Sequence, residues 1–219
     1  MPELPEVETV KETLKTKILG EKIASVSVYY ETMIDKLCRS DFSKMLVGET
    51  LTDIKRYGKY LFFIFKNVSL ISHLRMEGKY FIKLKEEPRN IHEHIIFTFE
   101  SGKTLRYHDT RKFGTMKLVK TTVFSEIMME PELKKLGKEA NDETIDVFEF
   151  YDKIHKMRVK LKTALLDQTL LAGLGNIYVD EVCFLSGLHP EYPCKNLTLY
   201  DVKNILSNAK YVLAGAIKA

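Results

Sequence analysis

Cysteine is scarce and unpatterned in this 219-residue chain. Cys38, Cys183 and Cys194 form no C-x-x-C pair, so neither a zinc site nor a disulfide framework can be read from them. Free thiols fit a reducing compartment, and a cytoplasmic location is expected. The sequence has no charged leader followed by an apolar stretch and no apolar run long enough for a bilayer, so no membrane span is expected. Internal repeats and low-complexity segments are also lacking. No sign of charge dominates: 34 Lys and Arg stand against 30 Asp and Glu, a net charge of +4, with a pI of about 8.7. Such mild basicity permits a polyanionic partner without requiring one.

Hydrophobic residues make up 45% of the chain, enough for a core in one large domain or two small ones. Val7, Val10, Leu14 and Ile18 recur at helical spacing between Glu6 and Leu19, and Gly20 follows as a stop. The period then changes. Residues 23–29, 60–65, 70–74, 80–84, 94–99 and 116–119 are short apolar or alternating runs. Turn signals at Lys66-Asn67, Glu77-Gly78, Pro88-Arg89-Asn90 and Ser101-Gly102 punctuate them. Many short strands predict a sandwich or barrel. Beyond about Pro131 the strand signal stops, and helices are expected over 145–156, 160–166, 177–185 and 199–216. Strands followed by helices predict an α+β chain. Residues 1–130 are expected to form the strand-rich domain with an N-terminal helix, and 131–219 a helical domain, the boundary falling near 120–135.

Chemistry concentrates at the start, Met1-Pro2-Glu3-Leu4-Pro5-Glu6-Val7-Glu8. While Met1 is attached, the Pro2 nitrogen is a tertiary amide. With Met1 removed it is a secondary amine. An α-amine titrates at about 7.7–8.0, more than two units below lysine, and a prolyl amine somewhat higher, so a sizeable fraction is unprotonated near neutral pH, where almost no unperturbed lysine is. Such an amine can form an imine with an electrophilic carbon, and a nearby carboxylic acid can move the protons. The same residues equally describe an ordinary helix start, with proline early and glutamates in the first turn.

Four further motifs stand out. Arg56-Tyr57-Gly58-Lys59-Tyr60 places a lysine at a strand entrance, where a solvated turn lysine is the plain alternative. His73-Leu74-Arg75-Met76-Glu77-Gly78 puts a methionine at a turn tip, usually a packing residue. Tyr107-His108-Asp109-Thr110-Arg111-Lys112-Phe113-Gly114 joins cations to an aromatic on a tight loop, which suits phosphate and base stacking or an ordinary hairpin. In the run from Asp167 to Glu181, a Gly173-Leu174-Gly175-Asn176 turn opens a new helix, and backbone N–H groups there make an anion site. Asn176 could cap that helix or contact a phosphate itself. His92 and His94, two apart on a predicted strand, point the same way, but no third metal ligand is evident.

Taken in order and spacing from Pro2 to the end of the chain, these motifs resemble the bacterial formamidopyrimidine-DNA glycosylases, bifunctional base-excision enzymes for oxidised purines. The resemblance implies that Pro2 is the nucleophile and Glu3 and Glu6 move protons, with Lys59 a proton donor in strand elimination. It implies that Met76, Arg111 and Phe113 fill the gap left by an extruded nucleotide. His73, His92, Lys112, Arg158, Lys162, Asn176 and Tyr178 would contact DNA. Lys112 stands where the family commonly has arginine, keeping charge but losing bidentate geometry. The resemblance also implies a catalytic β-sandwich over 1–130, a helix–two-turn–helix DNA-binding domain over 131–219, and as partner double-stranded DNA with oxidised bases or abasic sites, bound by a monomer. Family members continue into a lesion-contacting loop and a Cys₄ zinc finger. This sequence stops at Ala219, so no metal or other cofactor is expected within it. Two alternatives stay open: a damaged-DNA binding fragment without catalysis, and specificity for oxidised pyrimidines as in the related endonuclease VIII. The Pro-Glu-Leu-Pro-Glu-Val start is more like the purine branch.

Overall fold

The computed structural model describes residues 1–219 except Cys38, so the reading of that cysteine lies outside the described residues. Two compact units are present. The first comprises Met1–Pro2, Val7–Arg56 and Tyr60–Glu130; the second comprises Glu3–Glu6, Tyr57–Lys59 and Pro131–Ala219. Two short segments that a cut at residue 130 assigns to the first domain, Glu3–Glu6 and Tyr57–Lys59, therefore belong with the helices.

The first unit is an antiparallel β-sandwich. Its strands are β1 (Ile23–Val28), β2 (Leu51–Tyr57), β3 (Tyr60–Phe65), β4 (Ser69–His73), β5 (Lys79–Leu84), β6 (Glu93–Phe99), β7 (Lys103–His108) and β8 (Thr115–Val119). They form two four-stranded sheets, ordered β1-β6-β7-β5 and β2-β3-β4-β8. Both sheets contribute to one core that includes Ile23, Phe97 and Leu105 from the first and Ile54, Phe63 and Leu70 from the second. Helix α1 (Leu4–Ile18) adds Val7, Leu14 and Ile18 to this core, and α2 (Arg39–Leu46) adds Phe42 and Leu46.

Several elements here depart from the sequence expectation, three of them for reasons visible in their contacts. Helix α1 begins at Leu4, before Glu6, because the Glu6 carboxylate accepts the Glu3 backbone N–H at 2.9 Å and closes the first turn. Strand β2 was not expected: Leu51 and Ile54 are its buried residues, a spacing of three where strands usually alternate. Strand β7 was not expected because it buries Arg106. The Arg106 guanidinium donates to Glu93 Oε2 at 3.1 Å, to Thr104 Oγ1 at 2.8 Å, and to the carbonyls of Leu84, Glu87 and Pro88. A buried charge survives when paired and hydrogen-bonded. Here it also anchors the connection between β5 and β6.

The second unit is helical. After two short helices, α3 (Phe124–Ile127) in the first unit and α4 (Pro131–Lys134) in the second, come α5 (Val147–His155), α6 (Leu161–Leu166), α7 (Asn176–Leu185) and α8 (Leu199–Lys218). Their core contains Phe150, Ile154, Leu165, Val179, Val182, Ile205 and Leu213, and it includes Leu4. Thr198 starts α8 with a reciprocal capping box: its hydroxyl accepts the Asp201 N–H, and Asp201 accepts the Thr198 N–H. No helix among the described residues is long and apolar enough to cross a membrane.

Candidate active site and nucleic-acid contacts

The glycine turn before α7 is built around Glu3. Leu4 donates its N–H to the Gly173 carbonyl at 3.0 Å, which lays the start of α1 against the turn. A side chain at Gly173 would meet Leu4 Cδ1 at 2.5 Å, and one at Gly175 would meet the Glu3 carboxyl carbon at 2.5 Å. Gly173 also has a φ of +106°, which L residues rarely adopt. Gln168 staples the turn, accepting the Gly173 N–H and donating to the carbonyls of Leu166 and Leu174.

Glu3 is 2% exposed. Its Oε2 accepts N–H groups from Gly175 at 2.7 Å and Tyr178 at 3.3 Å, and its Oε1 accepts the Ile177 N–H at 2.9 Å. The anion site expected at this turn is filled from within the protein. The N-terminus of α7 already holds an anion, and that anion is Glu3. Asn176 is the first residue of α7 rather than its cap; Gly175 holds the cap position, and Asn176 is exposed.

Glu6 and Lys59 complete this group. Glu6 Oε2 accepts the Glu3 N–H, and Glu6 Oε1 accepts the Tyr178 hydroxyl. The DNA contact expected of Tyr178 therefore competes with an internal bond. Lys59 sits in the turn between β2 and β3, where Gly58 has a φ of +56°. The Gly58 N–H is held by Glu139 at 2.7 Å, a contact 81 residues distant that the local motif does not signal. Lys59 is 6% exposed. Burial pushes its ammonium below the usual lysine range, and the charges of Glu3 and Glu6 oppose that push without cancelling it. No described residue forms an ion pair or hydrogen bond with Lys59.

Pro2 immediately precedes this cluster. It lines a cavity of about 500 Å³ in the first unit, together with Met76, Glu77, Lys79, His108 and Thr110. Met76 is exposed at the tip of the turn after β4, and Arg75 beside it has a φ of +55°. His73 is largely buried: its Nδ1 accepts the Arg75 N–H at 3.0 Å, and its ring stands edge-on to Tyr60 at 4.5 Å. Its first task is thus to shape the Met76 turn.

Arg111, Lys112 and Phe113 are all exposed on the loop after β7. The buried Asp109 carboxylate holds that loop. Its Oδ1 accepts the N–H groups of Arg111 and Lys112, both at 3.0 Å, and its Oδ2 accepts the Gly114 N–H and the Tyr107 hydroxyl. The Tyr107 hydroxyl occupies the space a side chain would need at Gly78 or at Gly114, so one ring sets both the Met76 turn and the Arg111 loop. Tyr107 and Asp109 were visible in the motif, yet only their burial reveals their task. The Arg111 guanidinium lies over the Phe113 ring at 4.9 Å and the Lys112 ammonium over Tyr30 at 4.9 Å.

His92 lies in the turn before β6, not on the strand, because the strand starts at Glu93. His94 is buried and its Nε2 bonds the Asp109 carbonyl at 2.8 Å. Among the described residues no group of three or more His, Cys, Asp or Glu could hold a metal ion. Arg158 is exposed and lines a separate cavity of about 660 Å³ with Lys160 and Lys195. Lys162 is not free for phosphate, since both oxygens of Asp180 accept from it, at 2.8 and 2.9 Å.

A sandwich with an N-terminal helix, followed by helices whose glycine turn joins two of them, defines the class: DNA-repair glycosylases of the helix–two-turn–helix type. Residues 1–116 match the family model described as the formamidopyrimidine-DNA glycosylase N-terminal domain, and residues 136–219 match its H2TH domain. The chain belongs to the formamidopyrimidine-DNA glycosylase family. It is 45% identical over 221 residues to the formamidopyrimidine-DNA glycosylase of Ligilactobacillus salivarius, covering 100% of this chain and 78% of that one. The Bacillus subtilis enzyme of the same name is 43% identical, with 100% and 79% covered. Among solved structures, Lactococcus lactis Fpg in complex with abasic-site DNA superposes with a TM-score of 0.92 at 41% identity. That match covers 99% of this chain and 79% of the Lactococcus chain.

Proposed function

We propose that the chain is a bifunctional glycosylase and AP lyase for double-stranded DNA carrying oxidised purines, such as 8-oxoguanine and formamidopyrimidines, or abasic sites. It acts as a monomer in the bacterial cytoplasm. The names of the relatives and the abasic-site DNA in the Lactococcus complexes support the substrate class.

The observation that carries the reading is Lys59: an ammonium 6% exposed, without a hydrogen-bonded partner among the described residues, under the charge of two glutamates that follow Pro2. Burying an ion costs several kcal/mol, and groups kept in that condition cluster where protons must move. With Met1 removed, the Pro2 amine attacks C1′ of a nucleotide extruded from the stack. The N–C1′ bond forms as the glycosidic bond breaks, and the base leaves with the electron pair and takes up a proton. The N–H proton that Pro2 loses on attack passes to the Glu3 carboxylate, which hands it to the sugar ring oxygen as the C1′–O bond of the ring breaks, and the opened sugar stays bound to Pro2 as an iminium. Loss of a C2′ proton expels the 3′ phosphate. A second elimination expels the 5′ phosphate, with Glu6 and Lys59 moving the protons. Met76, Arg111 and Phe113 fill the vacated stack. His92, Lys112, Arg158 and Asn176 grip the backbone, Lys162 joins them by exchanging Asp180 for a phosphate, and His73 acts through the Met76 turn.

Borohydride trapping on an 8-oxoguanine duplex, using protein with a verified Pro2 terminus, tests this. A covalent adduct at Pro2 is expected. No adduct there or on an abasic duplex at low salt would leave a DNA-binding fragment without catalysis.

A further inference from the structure

Tyr178 touches both glutamates of the cluster. Its backbone N–H donates to Glu3, and its hydroxyl donates to Glu6 Oε1. Glu6 Oε2 is taken by the Glu3 N–H at 2.9 Å. Both oxygens of Glu6 are therefore occupied by protein donors, and neither bonds Lys59. That is unusual on electrostatic grounds. Glu6 is exposed, its side chain is flexible, and its charge acts on the buried Lys59. A carboxylate so placed would ordinarily pair with the ammonium, because a charge-assisted bond is about twice as strong as a neutral one. The Tyr178 hydroxyl supplies the competing donor. It projects from the first turn of α7, whose position is set by Glu3 at the helix start.

We propose that Tyr178 is a positioning residue: its hydroxyl holds Glu6 off the Lys59 ammonium, leaving Lys59 without a carboxylate partner and able to give up its proton. This rests on the proton-transfer reading of Lys59 above, but its first consequence requires no DNA. In Tyr178→Phe, Glu6 Oε1 loses its donor and turns to Lys59. An ion pair then holds the Lys59 proton more tightly, so Lys59 titrates at higher pH. The groups that act on Lys59 are Glu3, just before α1, Glu6 from α1 and, through Glu6, Tyr178 from α7; Glu139 is engaged by the neighbouring Gly58 N–H.

The test is the titration of the Lys59 side-chain nitrogen, followed by NMR in the DNA-free chain. Y178F should raise it and Glu6→Gln should lower it, and in the double variant Y178F should add nothing to E6Q. E6Q alone keeps the test informative if Y178F melts early. An unmoved Lys59 in Y178F, or an equal rise in the E6Q background, overturns the proposal. Single-turnover strand cleavage at a preformed abasic site should slow about tenfold in Y178F, less than the roughly 10²–10⁴ a proton-transfer group contributes, because the donor is weakened rather than removed. DNA affinity should change less than about twofold, well inside the factor of ten that 1.4 kcal/mol represents. Equal loss of affinity in both backgrounds with unchanged cleavage by bound enzyme would make Tyr178 a DNA contact and overturn the positioning role. A raised Lys59 titration with unaltered cleavage would uphold the positioning and refute the proton-donor reading instead.

Discussion

Replacing Glu3 with glutamine changes one atom in a buried carboxyl that accepts three N–H donors. The amide oxygen can keep the Oε2 place, where Gly175 and Tyr178 donate, but the NH₂ then faces the Ile177 N–H, donor against donor. The opposite flip leaves two N–H groups without an acceptor. The better arrangement forfeits one charge-assisted bond, about 1.5–3 kcal/mol. It also removes the negative charge from the start of α7, about 0.3–1 kcal/mol more. The sum, about 2–4 kcal/mol, corresponds to a melting decrease of about 5–15 °C for a chain of this length. Thermal unfolding followed by far-ultraviolet circular dichroism measures it, with the exposed Glu86→Gln as a control for charge alone. Base release from an 8-oxoguanine duplex should fall more than cleavage at a preformed abasic site. A melting temperature unchanged from the control would refute the claim that Glu3 caps α7. Equal loss of the two activities would refute its role at the sugar ring oxygen.

Gly175→Ala should disturb the same carboxylate from the other side, since the added carbon would meet the Glu3 carboxyl at 2.5 Å; we expect melting to fall about as far as in E3Q and base release to fall with it. Asp109→Asn leaves at least one of four donors opposed by an NH₂, and fluorescence anisotropy should show affinity for an abasic duplex reduced about tenfold, near the 1–3 kcal/mol of an unmet buried donor. Asp180→Asn frees Lys162, so duplex affinity should rise a few-fold and its salt dependence should steepen by no more than about 0.9 in log–log slope. Glu93 supplies a pH test. Burial pushes its carboxyl up, but bonds from Lys83, the Asn90 N–H and Arg106 outweigh that and hold it below the usual range. A folded value below the unfolded one means the stabilisation is full above the ordinary carboxylate range and is lost as pH falls through the depressed value. Urea midpoints of Glu93→Gln should therefore lie below wild type at neutral pH and converge with it in acid; parallel curves would refute this.

The sequence makes the short apolar strands, the four long helices and the glycine turn legible, because each announces itself within a dozen residues. What it hides has two causes. Strand β7 escapes because Arg106 and Thr104 are buried in it, and a buried ion pair cannot be told from a solvated charge without knowing that Glu93 lies opposite. Helix α2, whose only buried residues are Phe42 and Leu46, offers too narrow an apolar stripe to count. The candidate site divides the same way. Pro2, Glu3, Lys59 and the Asp167–Glu181 motif are recognisable separately, but the bond from Glu3 to Gly175 spans 172 positions. No local pattern shows that the acid of one motif fills the anion site of another.

That long-range pairing explains why the turn carries its glycines. A phosphate cradle would need exposed N–H groups and open space. Gly175 is instead buried, with the Glu3 carboxyl pressed where its side chain would be. A helix N-terminus carries about half a positive charge, and one carboxylate already exceeds it, so a phosphate arriving there gains nothing from the dipole. The proposed backbone contacts of Asn176 and Lys112 would therefore use their exposed side chains and not the α7 dipole. The dipole is used inward, to hold the first carboxylate after Pro2 at one fixed place. A free N-terminal proline is otherwise the most mobile residue of a chain. Three N–H bonds to Glu3, a Leu4–Gly173 backbone bond and a packed Leu4 side chain fix the residues that follow it, the preorganisation that the proposed attack by the Pro2 amine would use.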